Sequence, residues 1–443
     1  MSKAPPRAVH FVFTALPDTS GYTLRTQRLL SYRDDADASP ADVIVYPREK
    51  WLPPGDCTLH PRIATYVHDG VAYHALTAPP HRRPLIAATR WLDDRGIRGT
   101  SRIGFRQPLG PIVPHELSDL LAERIRAADV VHAHSPPRCG LWALETARKY
   151  GRPFVYEVRG FLDLTAASEG RQHVWDRPIE EYREQERRLL READAIVTLS
   201  RVMAEEVVRR GGPADRIGVV PNAATVDLSV LDRRDAALRE STVRRKLGIA
   251  DSFVVGTITN VREMEGIDTL IDAVRLLRDE GVPAVALIVG DGRDIDSVRE
   301  QAAAANAVHE GCVLLPGRVP PSESDDYYTA LDVFAIPRND VPVGRLVAPV
   351  KPVQALKLAV PVAASDLPAL RDFCGDGAVY AAPESAASLA DVLRRFHASG
   401  DFRRETAAAG LRHLQAQSSE ALAARELTAT YEQAIAHAAS VSR

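Results

Sequence analysis

The chain has 443 residues, 45% of them hydrophobic, enough at ~150 residues per domain for two or three soluble domains with real cores. Fifty-six basic side chains against 59 acidic ones leave a formal net charge of -3, which excludes a general nucleic-acid binder, since that requires a clear excess of positive charge. Cys57, Cys139, Cys312 and Cys374 are scattered without zinc or disulfide spacing, and no stretch approaches ~18 uninterrupted apolar residues, so a reducing cytosol is expected and a membrane span is not.

In chain order, apolar β-branched runs predict strands at 8–16, 41–46, 129–134, 154–160, 195–200 and 217–221, with amphipathic stretches such as 115–128 and 138–150 between them. Strand alternating with helix predicts a parallel, doubly wound sheet. A polar, charge-dense stretch at 225–241 then precedes a second series that opens at Phe253, alternates in the same way through 378–382 and ends in helical pattern from Ala386 onward. The expected domains are 1–228, joined by a returning helix over about 418–443, and 229–417.

Region 77–114 breaks the alternation. It carries Arg82, Arg83, Arg90, Arg95, Arg98, Arg102 and Arg106 against Asp93 and Asp94, with Leu85, Ile86, Trp91 and Phe105 interleaved. A basic, partly apolar segment over 82–106 is a candidate for peripheral contact with an anionic membrane or for holding an acidic acceptor; a solvated loop and helix without a partner is the alternative.

Chemistry-bearing residues gather at the predicted strand ends. The first strand runs into TALPDTSGYTLRT, where Gly21 allows close approach of a phosphate to the amides of the next helix, and Tyr22 and Arg25 follow. In DVVHAHSPPR, alternation puts His132 and His134 on one face; His134 is expected at the edge of a cleft and His132 buried against backbone groups. PFVYEVRGF delivers Glu157 and Arg159, charges that either pair with their surroundings or face a ligand. In PRNDVPVGRLVAPVKPVQA, Arg338, Arg345 and Lys351 form the sharpest phosphate-binding candidate, with Pro349 expected to start a helix that holds Lys351 in its first turn. A nicotinamide-dependent oxidoreductase would need an intact Gly-x-Gly-x-x-Gly turn, and GDGRD at 290–294 is too short to be one.

Taken together, SGYTLRT, DVVHAHSP, GRPFVYEVRG, ADAIVTLSRVM, VVPNA, GTITNVREMEGIDTLIDAV, ALIVGDG, LLPGRVPPSE, DVFAIPR and PVKPVQALKLAVPVAASD resemble, in order, the nucleotide-sugar glycosyltransferases of glycosyltransferase family four, nearest to members of bacterial polysaccharide and glycoconjugate clusters. The resemblance implies the α/β GT-B fold: two doubly wound Rossmann-like domains facing across a cleft, with the C-terminal helix crossing back to the first. It implies retaining transfer of a sugar from a nucleoside diphosphate, UDP or GDP, to a carbohydrate, lipid-linked or small-molecule acceptor hydroxyl, with no metal or other cofactor. Under it, Gly21 approaches the donor phosphate, His134 the donor sugar or phosphate, Arg318 and Val319 the base, and Lys351 with Arg338 the diphosphate, while Ser200 lines the cleft floor.

Three departures stand out. Gln354 stands where the wider family has a glutamate for ribose hydroxyls, and the family's other glutamate, for donor-sugar hydroxyls, falls at Arg345 or Leu346; Arg345 in that place suits an acidic donor sugar. At Asn260 and Glu265 many relatives place an arginine and a lysine, and Arg262 is the substitute cation in the same loop. A non-catalytic GT-B partner subunit that has lost the donor-binding glutamates is therefore the alternative function.

Overall fold

The computed structural model describes residues 5–16, 20–32, 42–46, 58–59, 63–76, 118–175, 177–347 and 349–441. The basic segment 82–106 lies outside the described residues, as do Pro17 and Asp18 of the first predicted turn. The chain divides into two compact units, one from 1–199, 204–220 and 424–443, the other from 200–203 and 221–423.

In the first unit the strands are β1 (Ala8–Val12), β2 (Asp42–Val45), β3 (Thr58–Leu59), β4 (Ile63–His68), β5 (Val71–Leu76), β6 (Val130–His134), β7 (Phe154–Val158), the ribbon β8 (His173–Val174) and β9 (Arg177–Pro178), then β10 (Ala195–Thr198) and β11 (Ile217–Val219). Apart from the ribbon they form one sheet in the order β11-β10-β7-β6-β1-β2-β5-β4-β3. Its centre is parallel, and β1, β6 and β7 are buried along their whole length, as a sheet covered on both faces requires. The edge differs from expectation, because β3, β4 and β5 pair antiparallel. Asp69 and Gly70, with φ of 49° and 72°, make the two-residue turn between β4 and β5 that only residues tolerating positive φ can form.

The second unit holds β12 (Phe253–Ile258), β13 (Ala284–Val289), β14 (Val313–Gly317), β15 (Val333–Ile336), β16 (Val362–Ser365) and β17 (Ala378–Ala381), in the order β14-β13-β12-β15-β16-β17 with every pairing parallel. Helix Ile267–Asp279 buries Ile267, Leu270, Ile271, Val274 and Leu277, a 3.6-residue stripe that packs on Val255, Ala286 and Ile288 of the sheet.

Strand order reverses between β6 and β1 in the first unit and between β12 and β15 in the second. At such a switch point the loops leaving the two neighbouring strands diverge to opposite faces and open a crevice at the strand carboxyl ends, where α/β sheets bind ligands. The fold thus puts the loops after β1 and β6, and those after β12 and β15, in the places suited to chemistry.

Away from these ends, Arg210 gathers Asp163, Glu186 and Glu206 at 3.1, 2.8 and 2.8 Å. Burial pushes the Glu186 carboxyl up to about 7 even though Arg210 opposes it, and Oε1 of Glu186 has no hydrogen-bond partner among the described residues. A carboxyl raised in the folded state holds its proton there longer than in the unfolded chain. Its contribution to stability is therefore full below about 4.5 and is lost as the pH rises through about 7. Urea unfolding of Glu186→Gln over that range is expected to show a flatter pH dependence than the parent chain; an unchanged slope would place the titration elsewhere.

Candidate functional site

In the first unit the residues at the switch point close into a buried polar network. Register sets it up: His10 lies opposite His132 between β1 and β6, and His134 opposite Glu157 between β6 and β7, so all four side chains meet on one side of the sheet. Glu157 is fully buried and carries the negative charge for two guanidiniums. Arg25 Nε donates to its Oε1 at 3.1 Å, and Arg159 Nε donates to Oε2 at 2.5 Å. Arg25 also donates to the Val220 carbonyl at 2.6 Å, and Arg159 to the Tyr22 carbonyl and the Thr26 hydroxyl at 2.9 and 2.8 Å. Burial alone would raise the Glu157 carboxyl, but Arg159 and then Arg25 hold it well below the usual carboxylate range. Of the two expectations for Glu157 and Arg159, pairing with their surroundings is the one observed.

His134 is likewise inside this network, 1% exposed, and not at an open edge. Its Nδ1 bonds Glu157 Oε2 and its Nε2 lies 3.0 Å from His10 Nδ1, so neither ring nitrogen is left for a sugar in this arrangement. Burial, then Arg159, pushes its pKa down to about 3, and burial and His134 do the same in direction for His132; both rings are neutral. His132 bonds Tyr431 at 2.7 Å, a side-chain partner on the helix Glu420–Val441 where backbone was expected. His10, His132 and His134 have ligand nitrogens within 4.8 Å of one another, the spacing of a metal site. They fit a dication poorly, because His10 and His134 already bond each other and Arg159 Nη2 lies 2.7 Å from His134 Nδ1.

Gly21 begins helix Gly21–Ser31 and is exposed, with no atom of non-neighbouring described residues within 4 Å of where a Cβ would stand. Ser20 caps that helix, its Oγ accepting from Thr23 N at 3.2 Å, so one of its first amides is already satisfied.

In the second unit, loops leaving β12 and β15 are held against each other. Asn339 donates from its backbone to the Met264 carbonyl at 3.1 Å and from Nδ2 to the Glu263 carbonyl at 3.0 Å. Gly266, at φ 63°, leaves no room for a side chain, since a Cβ there would stand 1.8 Å from the Pro337 carbonyl oxygen. Gly266→Ala is expected to cost about 1–2 kcal/mol from the left-handed conformation alone, with the clash added to it. Denaturant melts of the variant measure this, and a loss of under about 0.5 kcal/mol would mean the loops separate freely.

Three of the predicted or noted residues converge here. Glu265 accepts from Arg338 Nη2 on Oε1 at 3.0 Å and pairs with Lys351 Nζ on Oε2 at 3.1 Å. Lys351 Nζ also donates to Thr259 Oγ1, and Arg338 Nη1 to the Val347 carbonyl at 2.8 Å. Burial would raise Glu265, yet Arg338 and Lys351 bring it down to about 2; burial lowers Lys351 from its ordinary value although Glu265 opposes that. Arg262 belongs to the same electrostatic neighbourhood as Lys351.

The other candidates lie outside these pairings. Arg345 does not join Arg338 and Lys351: it lies on the short helix Pro342–Leu346, is 55% exposed, and both Nε and Nη2 clasp the Asp340 carboxylate five residues earlier. Gln354 donates to Asp325. Asn260 and Arg318 are exposed, while Val319 packs against the core beside β14. Ser200, in the second unit, is buried and accepts from Met203 N at 3.2 Å. The expected helix starts at Lys351, two residues later than predicted, and ends at Lys357, so the charge of Lys351 and not a helix dipole is what this segment offers.

Sequence reasoning missed His10, Thr26 and Thr259. His10 had a readable signal, a lone imidazole within an apolar strand that neighbours another strand bearing two; Thr26, within helix Gly21–Ser31, and Thr259, just past β12, had none, since hydroxyls in such places are common.

Residues 20–223 match the model described as a glycosyl transferase 4-like domain, and residues 252–399 the model of glycosyl transferases group 1. The amylovoran biosynthesis glycosyltransferase AmsK of Erwinia amylovora is 26% identical over 230 residues, covering 51% of this chain and 52% of that protein. The 2-deoxystreptamine glucosyltransferase of Streptomyces kanamyceticus is 31% identical over 216 residues, covering 47% of this chain and 53% of that protein. The matches therefore span about half the length of these relatives.

Among solved structures, Anabaena HepE in complex with UDP superposes with a TM-score of 0.65 at 14% identity, over 96% of this chain and 99% of that one. Sucrose-phosphate synthase of Thermosynechococcus elongatus does so with a TM-score of 0.67 at 15% identity, over 97% and 99%. At such identities the likeness is one of fold. Among the described residues no helix is long and apolar enough to cross a membrane. With a glycosyl transferase 4-like half followed by a group 1 half, on two Rossmann-like sheets, the chain belongs to the GT-B glycosyltransferases of family four.

Proposed function

We propose that this chain transfers a sugar from a nucleoside-diphosphate sugar to an acceptor hydroxyl with retention at the anomeric carbon. The observation that carries the reading is the convergence of Arg338 and Lys351 beside the switch point of the second sheet. As the bond from sugar to diphosphate breaks, negative charge grows on the leaving oxygens, and cations already fixed in place stabilise it without reorganising. Asn260, Arg262, Arg318, Val319 and Gln354 complete the donor side in this reading, with UDP as the first base to test because HepE was solved with it. In the first unit Gly21, Tyr22, Arg25, Glu157, Arg159 and His134 serve the reaction as a rigid, neutral-histidine framework and not as a proton relay. Retention follows if the departing phosphate takes the acceptor's proton on the face it leaves.

The acceptor is a hydroxyl-rich molecule. One relative is named for amylovoran biosynthesis and the other for 2-deoxystreptamine. Segment 82–106 is the part of the chain proposed to meet a membrane or an acidic acceptor from the cytoplasmic side.

A non-catalytic partner subunit is the second reading, favoured by the engagement of Arg345 and Gln354 with Asp340 and Asp325 in place of family glutamates. The two separate in one assay. The purified chain is given UDP-, GDP- and dTDP-sugars with oligosaccharide and aminocyclitol acceptors, and diphosphate release and product anomer are measured. Release with a retained anomer supports transfer; nucleotide binding without release from any pair supports the partner role.

A further inference from the structure

We infer that Glu265 is a built-in counter-anion, a positioning residue that acts through Lys351 and Arg338 by neutralising them and competing with the diphosphate for them. The inference rests on the proposed donor site and goes beyond it by assigning the strength of the grip to a carboxylate. Both oxygens of Glu265 are committed, Oε1 to Arg338 Nη2 at 3.0 Å and Oε2 to Lys351 Nζ at 3.1 Å and Arg338 Nε at 3.5 Å, and the side chain is only 11% exposed. Each cation in turn keeps one uncharged anchor, the Val347 carbonyl for Arg338 and the Thr259 hydroxyl for Lys351. The cations would therefore stay roughly in place without the carboxylate, but with their charge no longer matched.

That arrangement has a direct consequence for binding. An incoming diphosphate supplies the same chemistry as Glu265, acceptor oxygens with negative charge, to the same two donors. While Glu265 is present, the phosphate gains only what the carboxylate does not already satisfy, which keeps the nucleotide product from being held too long. Gly266 and the Asn339 bonds fix the loop that carries Glu265, so the carboxylate cannot simply swing away.

The test is calorimetric titration of UDP and of inorganic pyrophosphate into the full chain and into Glu265→Gln and Lys351→Met, alongside turnover with the best donor. Glu265→Gln is expected to bind both probes about tenfold or more tightly while its kcat falls several-fold, an opposition of signs that a merely structural residue would not produce. UDP affinity unchanged or weakened in folded Glu265→Gln overturns the inference. Lys351→Met is expected to weaken both probes; if it leaves them unaltered, the diphosphate site itself is refuted, whatever Glu265 does. Should Glu265→Gln fail to fold, Glu265→Asp keeps the charge but is too short to bridge both cations. It is then expected to tighten UDP by about threefold, and no tightening overturns the inference equally.

Discussion

Lys351→Ala is expected to lower turnover of the preferred nucleotide sugar by about 10²–10³-fold, the usual loss when one preorganised donor to a developing oxyanion is removed. Lys351 combines a side chain that is 24% exposed with two fixed contacts, to Glu265 and Thr259. It is thus oriented before substrate arrives yet still reachable. Removing it leaves Glu265 paired with Arg338, so the fold should lose little and the defect should be in kcat and diphosphate affinity. Steady-state kinetics with thermal melts of the same sample measure both quantities. Turnover within threefold of the parent chain would mean that the leaving group is held elsewhere.

Glu157→Gln is expected to destabilise the first unit by about 3–5 kcal/mol, the cost of leaving buried charge without its partner. The substitution keeps shape and removes charge, so Arg25 and Arg159, at 2% and 6% exposure, are left facing each other around a neutral amide. Against a typical total of about 5–15 kcal/mol, that is a large share of the stability. Urea unfolding followed by circular dichroism checks it, and a loss below about 1 kcal/mol would show that water reaches these guanidiniums. Acid should act in the same direction. Glu157 and Glu265 have folded values below the ordinary carboxylate and His134 one below the ordinary imidazole, so their contributions are present at neutral pH and fade as pH falls through the folded values.

Much of the architecture was readable from local pattern. Central parallel strands are buried on both faces and must be nearly all apolar, which is why β6, β7, β12 and β13 stand out in the sequence. The antiparallel edge was not anticipated, although His68-Asp69-Gly70 between two alternating runs is a hairpin signal. There a two-residue turn replaces the βαβ rhythm of the rest of the chain, and an edge strand that pairs back on its neighbour needs no crossover helix.

Candidate residues divided along a similar line. That Arg338 and Lys351 lie close could be suspected from one segment, since only loops and one short helix separate them. That Arg345, nearer to both in sequence, turns away to Asp340 could not, because a guanidinium takes whichever carboxylate its backbone angle offers. Glu265 was visible only as a departure from relatives, and its contact with residues more than seventy positions away is set by the parallel pairing of β12 with β15.

By itself the order of amino acids determined the class of fold, the strand-end positions where chemistry collects, and the family, since these depend on hydrophobic period and on short motifs that each act over a few residues. Tertiary structure alone decided which charges meet: that His134 is enclosed by His10 and Glu157, that Arg25 and Arg159 share one carboxylate, and that Lys351 and Arg338 share another. Strand order and register bring those partners together across up to 132 positions of chain, and ion pairing inside a protein is governed by distance and burial, neither of which is written at any single position.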